Sequence, residues 1–126
     1  FVSRGGCDFQ CPDWLRAKLP AACELDGEFW GGRRQFLRTA SIVRSGESGD
    51  NWNFITYMVF DALRDEDGFC LEERPFEERL DVARRICRAV KGEDLGGSVQ
   101  ALPMQRCRGR GHLEELFEAV RRGGGE

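Results

Sequence analysis

The chain has 126 residues, of which 40% are apolar and 33% are charged, a length and composition typical of one small globular domain. Its formal net charge of −3 gives no net positive field of the kind that indicates a nucleic-acid binder, so composition alone does not suggest DNA as a partner. No apolar run is long enough to cross a bilayer, and we therefore expect no membrane-spanning segment.

Short elements are predicted along the first thirty residues. Residues 1–4 are expected to form the end of a strand, followed by a glycine turn. A short helical turn is predicted within residues 11–19, because Pro12 is typical of a helix start. Residues 24–30 form the next predicted strand, in which Asp26-Gly27 marks a bend or bulge.

A helix and a buried strand are predicted in the middle of the chain. Residues 34–44 carry apolar side chains at helical spacing. The expected apolar face of this helix consists of Phe36, Leu37, Ala40 and Val43. Residues 52–60 are apolar on both faces, which favours a central strand of a sheet, with Asp61 at its carboxyl end.

The last third of the chain alternates helix, strand and helix. Pro75 opens an amphipathic helix that runs to about Lys91. Its apolar stripe consists of Phe76, Leu80, Ala83, Cys87 and Val90. Residues 98–107 are predicted to form a strand at an edge or with a bulge, because Pro103 cannot donate to a central ladder, and residues 111–122 form a second helix. The irregular order of strands and helices predicts an α+β fold.

Four residues beside strand-like runs have chemistry that suits a ligand. Asp26 and Glu28 flank a glycine and so lie on one face of an extended strand, which suits a divalent cation or ribose hydroxyls; a solvated Asp-Gly turn is the alternative. Phe60 is placed to offer a ring to a flat ligand such as a purine, or it is a core residue. Arg4 is suited to a phosphate, or it is an exposed arginine without a partner.

Six segments carry a resemblance to a known family. They are Ser3-Arg4-Gly5-Gly6, Pro12-Asp13-Trp14, Leu25-Asp26-Gly27-Glu28-Phe29-Trp30-Gly31-Gly32-Arg33 with Phe36, Val59-Phe60-Asp61-Ala62, Pro75-Phe76-Glu77-Glu78-Arg79-Leu80, and Gly124-Gly125-Glu126. Taken in this order and spacing, they resemble the nucleotidyltransferase (adenylation) domain of small ATP-dependent DNA ligases. The resemblance covers nearly the whole chain. It implies a nucleotidyltransferase fold of antiparallel sheets with flanking helices, of which residues 1–126 form an incomplete domain.

The resemblance also implies an activity and a set of site residues. The family seals nicks through enzyme-AMP and DNA-adenylate intermediates, with ATP and Mg²⁺ (or Mn²⁺) as cofactors and nicked duplex DNA as the partner of a monomeric enzyme. By resemblance, Arg4 contacts the nucleotide, Glu28 its ribose or a metal, and Phe60 stacks on adenine. Glu126 helps hold the metal, and Asp26 supports the turn that contains Glu28.

Two family motifs are missing from the chain. The nucleophile lies in Lys-x-Asp-Gly, and neither Lys18 nor Lys91 stands in that pattern. The downstream Lys-x-Lys motif and the OB-fold domain are also absent. We therefore expect the chain to be an excerpt cut at both ends and to be unable to adenylylate itself. Two alternatives are open: a truncated, non-catalytic homologue that binds a nucleotide or a partner, and a relative of RNA ligases or capping enzymes. The compartment is also open.

Overall fold

The computed structural model describes residues 1–45, 50–90 and 98–125. In chain order, the helices and strands are α1 (Asp13–Arg16), β1 (Glu24–Trp30), α2 (Phe36–Ser45), β2 (Thr56–Arg64), α3 (Phe76–Val90), β3 (Val99–Ala101) and α4 (Arg110–Arg122), and a 3-10 helix (Asp50–Phe54) precedes β2. The predicted α+β class is confirmed. Within the described ranges, the helices lack the length and hydrophobicity needed to cross a membrane.

The three strands form one mixed sheet in the order β1-β2-β3. β1 and β2 pair antiparallel, whereas β2 and β3 pair parallel. The prediction of an antiparallel architecture is therefore wrong for this part of the chain. The reason is the connection through α3, which crosses over the sheet and brings β3 back in the direction of β2. β3 is an edge strand, as Pro103 predicted, but it has three residues rather than ten.

The central strand lies four residues later than the sequence predicted. Residues 50–54 form a 3-10 helix that buries Trp52 completely, and β2 extends to Arg64. A short apolar run can be buried by a helical turn as well as by a strand, so periodicity alone does not separate the two. The predicted central position of this strand is confirmed, but Asp61 lies within it rather than at its carboxyl end.

An aromatic cluster forms the part of the core next to β1. The Phe29 ring lies 5.2 Å from that of Phe1, 5.3 Å from that of Trp52 and 5.4 Å from that of Tyr57. Such tilted and edge-to-face pairs add to the free energy gained by burying the rings. The helix α3 packs against β2 and β3. Its buried residues include three of the predicted stripe, Leu80, Ala83 and Cys87.

The two remaining long helices differ from the prediction in what they bury. In α2, Phe36 is 73% exposed and Leu37 is 83% exposed, while the buried residues are Thr39, Ile42 and Val43. The predicted apolar face of α2 was therefore only partly right. α4 has the predicted bounds to within one residue but buries no side chain against the described part of the chain.

Candidate functional site

A β-bulge lies where the sequence predicted one. Asp26 pairs with Asp61, and Gly27 pairs with Val59, so Phe60 has no residue opposite it on β1. The predicted bulge at Asp26-Gly27 is confirmed. The extra residue is Phe60, which lies in β2. Because an extra residue changes which side chains face each side of a strand, a bulge re-aims the side chain that it inserts. Phe60 and the carboxylates of Asp26 and Glu28 therefore lie at the same β-bulge.

Gly27 allows β1 and β2 to approach closely at this point. A Cβ atom at residue 27 would lie 2.6 Å from the Met58 carbonyl oxygen and 2.7 Å from Cε2 of Tyr57. The Tyr57 hydroxyl donates a hydrogen bond of 3.0 Å to the carbonyl oxygen of Leu25. Burial, with a smaller effect of the Asp26 carboxylate, raises the pKa of Tyr57. The hydroxyl therefore stays protonated at neutral pH and holds its ring over the glycine.

An N-terminal hairpin positions Arg4. Val2 and Asp8 form an isolated antiparallel bridge, and the Phe9 amide donates to the Phe1 carbonyl oxygen at 2.9 Å. At the tip, the Ser3 hydroxyl accepts a hydrogen bond of 2.9 Å from the amide of Cys7. The predicted strand end and glycine turn are therefore present as a short, hydrogen-bonded hairpin that carries Arg4 on its exposed tip.

One open groove of about 680 Å³ lies between this hairpin, the two long strands and α2. The strands contribute residues 25–29, Tyr57 and Phe60 to its walls. The helix contributes residues spaced by three and four positions, which form one face of α2: Phe36, Thr39, Ala40, Val43 and Arg44. The volume lies within the range of small-molecule sites, about 300–1,000 Å³.

The structure brings four predicted site residues together in this groove. Arg4, Asp26, Glu28 and Phe60 all line it, although they come from three separate segments of the sequence. Glu126, the fifth predicted site residue, lies outside the described residues, so its role stays a prediction. Over residues 1–45, 50–90 and 98–125, no ion pair or hydrogen bond occupies the side chains of Arg4, Asp26 and Glu28. Their charges are therefore accessible to a ligand.

Asp61, the neighbour of Phe60, has a structural role instead. Nε of Arg79 donates to one of its carboxylate oxygens and Nη2 to the other, both at 2.9 Å, and the Ala62 amide donates to it at 2.8 Å. The Arg79 hydrogen bonds lower the pKa of Asp61. This bidentate ion pair joins β2 to α3 and holds β2 in place directly after the bulge.

The donor atoms in the groove fit Mg²⁺ only in part. Asp26 and Glu28 offer carboxylate oxygens, which Mg²⁺ prefers. Within the part of the chain that the structure describes, however, no three His, Cys, Asp or Glu side chains are grouped to hold a metal. Mg²⁺ is normally held by one or two carboxylates together with waters and substrate phosphates. Within the described residues, the groove therefore offers two carboxylates to a metal and not a complete set of protein ligands.

Sequence reasoning missed one charged residue of the groove, Arg44. It follows Ala40 by one helical turn and Phe36 by two, so all three residues lie on the groove face of α2. This spacing was the sequence signal that could have identified it. Lys18, in contrast, is occupied elsewhere. Its Nζ donates to the Ser98 hydroxyl at 2.9 Å, and it is not among the groove-lining residues. Lys91 lies outside the described residues.

Comparison with known proteins identifies a related fold. No family model matches the chain, and no curated protein matches it. Among solved structures, the chain is similar to a Lig E DNA ligase that was studied for DNA binding with a minimal scaffold, with a TM-score of 0.78 and 28% sequence identity. The match covers 99% of this chain and 45% of that ligase. The chain thus has a DNA-ligase-related fold and spans less than half the length of the solved relative.

Proposed function

We propose that this chain is the central part of an ATP-dependent DNA ligase and that its groove binds the adenosine and phosphate groups of ATP. The observation that carries the proposal is the convergence of Arg4, Asp26, Glu28 and Phe60 on one groove. Three separate segments of the sequence contribute these residues to the groove. The similarity to a Lig E DNA ligase supports the same assignment.

Each group of the nucleotide has a suitable counterpart. The Phe60 ring is half-buried at the bulge, so it offers an apolar face for adenine. The carboxylates of Asp26 and Glu28 accept hydrogen bonds from ribose hydroxyls or bind a metal. The guanidinium groups of Arg4 and Arg44 suit the phosphates, because their planar donor arrays match phosphate oxygens.

Mg²⁺ (or Mn²⁺), bound with the nucleotide, would stabilise negative charge on the reacting phosphate. Glu28 and Glu126 are the residues that we expect to hold it, with Asp26 supporting the bulge beside Glu28. We also propose that the parent enzyme seals nicked duplex DNA through enzyme-AMP and DNA-adenylate intermediates. The nucleophilic lysine of that reaction must then come from residues other than these 126.

Binding of ATP to the chain tests the nucleotide site. We expect Phe60→Ala to weaken ATP binding in isothermal titration calorimetry, because stacking of a base on an aromatic ring contributes about 1–3 kcal/mol, or roughly 5- to 150-fold in Kd. Phe69→Ala is the matched control, since Phe69 is 69% exposed and does not line the groove. Equal loss of affinity in both variants, or no ATP binding by the unsubstituted chain, would contradict the proposal.

Covalent labelling tests the assignment of the nucleophile. We expect no transfer of AMP to the chain incubated with Mg²⁺ and ATP labelled in the α-phosphate, because Lys18 is held by Ser98 and stands in no Lys-x-Asp-Gly sequence. A stable covalent AMP adduct that maps to a lysine of this chain would overturn that assignment.

A further inference from the structure

Phe60 lies at a gap in the strand pairing on both flanks of β2. The residues of β1 that pair with Val59 and Asp61 are adjacent in sequence, so Phe60 stands opposite no residue there. On the other flank, β3 pairs with residues 57–59 of β2, and the Leu102 amide donates to the Val59 carbonyl oxygen at 2.7 Å. In the described part of the chain, this ladder ends one residue before Phe60. Strand pairing by itself therefore does not set the direction of the ring.

The pattern of burial along β2 shifts at the same place. Tyr57 and Val59 are buried, as expected for alternate residues of a strand, but the next buried residue is Ala62. Phe60 and Asp61 are both partly buried and span this shift. Because a bulge disrupts the ladder locally, the direction of the inserted residue depends on the contacts of its neighbours, and here the neighbour with strong contacts is Asp61.

Arg79 of α3 makes those contacts, and all three of its guanidinium nitrogens are engaged. Nε and Nη2 each donate to one carboxylate oxygen of Asp61 at 2.9 Å, while Nη1 donates to the Arg74 carbonyl oxygen, also at 2.9 Å. The Asp61 oxygen that bonds Nε accepts a further hydrogen bond of 2.8 Å from the Ala62 amide. One carboxylate thereby ties the backbone directly after the bulge to a helix and to the segment that leads into that helix.

A second ion pair of α3 has the same geometry at a different place. Nε and Nη2 of Arg85 donate to the two carboxylate oxygens of Glu66 at 2.9 and 2.8 Å, and Glu66 lies beyond the end of β2. The side chains of Arg85 and Glu66 are 53% and 38% exposed, whereas those of Arg79 and Asp61 are 20% and 17% exposed. The Arg79 pair is thus the more sheltered of the two and lies at the bulge, and the Arg85 pair is a control with the same chemistry.

We propose that Arg79 is a positioning residue for the nucleotide site. By holding Asp61, it directs the Phe60 ring into the groove, where the ring stacks on adenine; this role rests on the proposed nucleotide function of the groove. Arg79 is not among the residues that line the groove, so it acts through Asp61 and Phe60 rather than on the nucleotide. A supporting hydrogen bond of this kind locks the orientation of a binding side chain and reduces the entropy that is lost when the ligand binds.

The ATP affinity of Arg79→Lys tests this role, measured by isothermal titration calorimetry at a temperature where circular dichroism shows a folded chain. Lysine keeps the positive charge but lacks the planar fork that makes the bidentate contact. We expect ATP to bind about threefold or more weakly, whereas the matched control Arg85→Lys should keep its affinity. Full ATP affinity in Arg79→Lys, or equal losses in the two variants, would overturn the inference. If Arg79→Lys is unfolded, Asp61→Asn tests the same ion pair from the strand, with the same expected loss.

A double-mutant cycle with Phe60→Ala separates positioning of the ring from a general loosening of the groove. If Arg79 acts through the ring, Arg79→Lys should weaken ATP binding when Phe60 is present and should have no further effect in the Phe60→Ala background. An equal effect in both backgrounds would show that Arg79 acts on the groove as a whole and would overturn the inference.

The ring of Phe60 reports its position without any nucleotide, which separates this inference from the proposed function. In the nucleotide-free chain with ¹³C-labelled phenylalanine, the Phe60 ring signals are identified by their absence from Phe60→Ala. Arg79→Lys should shift these signals, and Arg85→Lys should leave them in place. If the unsubstituted chain binds no ATP but Arg79→Lys shifts the ring, the nucleotide function is wrong and the ion pair still positions Phe60. If ATP binding needs Phe60 but Arg79→Lys changes neither the ring signals nor the affinity, the nucleotide site stands and the positioning role is wrong.

Discussion

Gly27→Ala is the substitution whose cost can be worked out most directly from the structure. The added Cβ would lie 2.6 Å from the Met58 carbonyl oxygen and 2.7 and 2.9 Å from Cε2 and Cζ of Tyr57. These distances are well below van der Waals contact, so either β2 or the Tyr57 ring must move. Neither can move easily, because Met58 O belongs to the central strand and Tyr57 is only 6% exposed.

The expected destabilisation has two parts. Overpacking of a core site typically costs about 1–3 kcal/mol. Displacement of the Tyr57 ring also breaks its hydrogen bond to Leu25, which contributes about 1 kcal/mol. Together they predict a loss of about 2–4 kcal/mol in the free energy of unfolding, and for a chain of this length each kcal/mol lowers Tm by about 4 °C.

Urea and thermal unfolding followed by circular dichroism measure this effect. Gly111→Ala is the matched control, because a Cβ at Gly111 in α4 meets nothing within 4 Å. That control should raise stability by about 0.5–1 kcal/mol, since alanine is the better helix former. Surface substitutions usually change the free energy of unfolding by no more than about 0.5 kcal/mol. If Gly27→Ala changes it by no more than that, the inference that β1 and β2 approach closely at the bulge is wrong.

Two further predictions concern titrating groups. Because Arg79 lowers the pKa of Asp61, the pair stabilises the fold above the pKa of an unfolded aspartate, about 3.9, and this stability is lost as the pH falls through the lower, folded pKa. Asp61→Asn should therefore lower Tm at neutral pH and flatten the acid limb of a Tm-against-pH profile; an unchanged profile would contradict the ion pair. Burial raises the pKa of Cys11 and of Cys87 to about 11, so at about pH 8 both should react with a thiol reagent only after unfolding in urea. The exposed thiols should react at once, namely Cys7, Cys70 and Cys107, and equally fast labelling of all thiols would show that the predicted core is open.

Elements with a clear local pattern were predicted well from the sequence. β1 has the predicted bounds because polar and apolar side chains alternate along it, and its burial alternates in the same way. The bulge at Asp26-Gly27 was also predictable, since a glycine inside a strand often marks a close approach of two backbones. α3 was predictable because Pro75 and a long apolar stripe define both its start and its buried face.

Features that depend on tertiary contacts were not predictable in the same way. Which face of α2 is buried depends on the position of the sheet, so Leu37 is 83% exposed despite its hydrophobicity. The direction of β3 depends on the path of the connection through α3, which the sequence does not show. The 3-10 helix at residues 50–54 buries Trp52 through a turn that has no distinctive sequence signal.

The candidate site was predictable in its members but not in its full lining. Arg4, Asp26, Glu28 and Phe60 were identified from strand ends and from the resemblance to DNA ligases, and they line one groove. Arg44 was missed because a basic residue near the end of a helix is expected there for electrostatic reasons alone. Its spacing places it on the same face of α2 as Phe36 and Ala40, but packing rather than local sequence decides that this face meets the groove.

NMR titration of the ¹⁵N-labelled chain with ATP and Mg²⁺ tests the central claim most directly, because it reports both whether and where the nucleotide binds. The account predicts that the largest amide shifts cluster around the bulge, at Asp26, Gly27, Glu28 and Phe60, and on the tip of the hairpin at Arg4. Saturating ATP that leaves these amides unshifted, or that shifts another surface instead, would contradict the assignment of the groove as a nucleotide site.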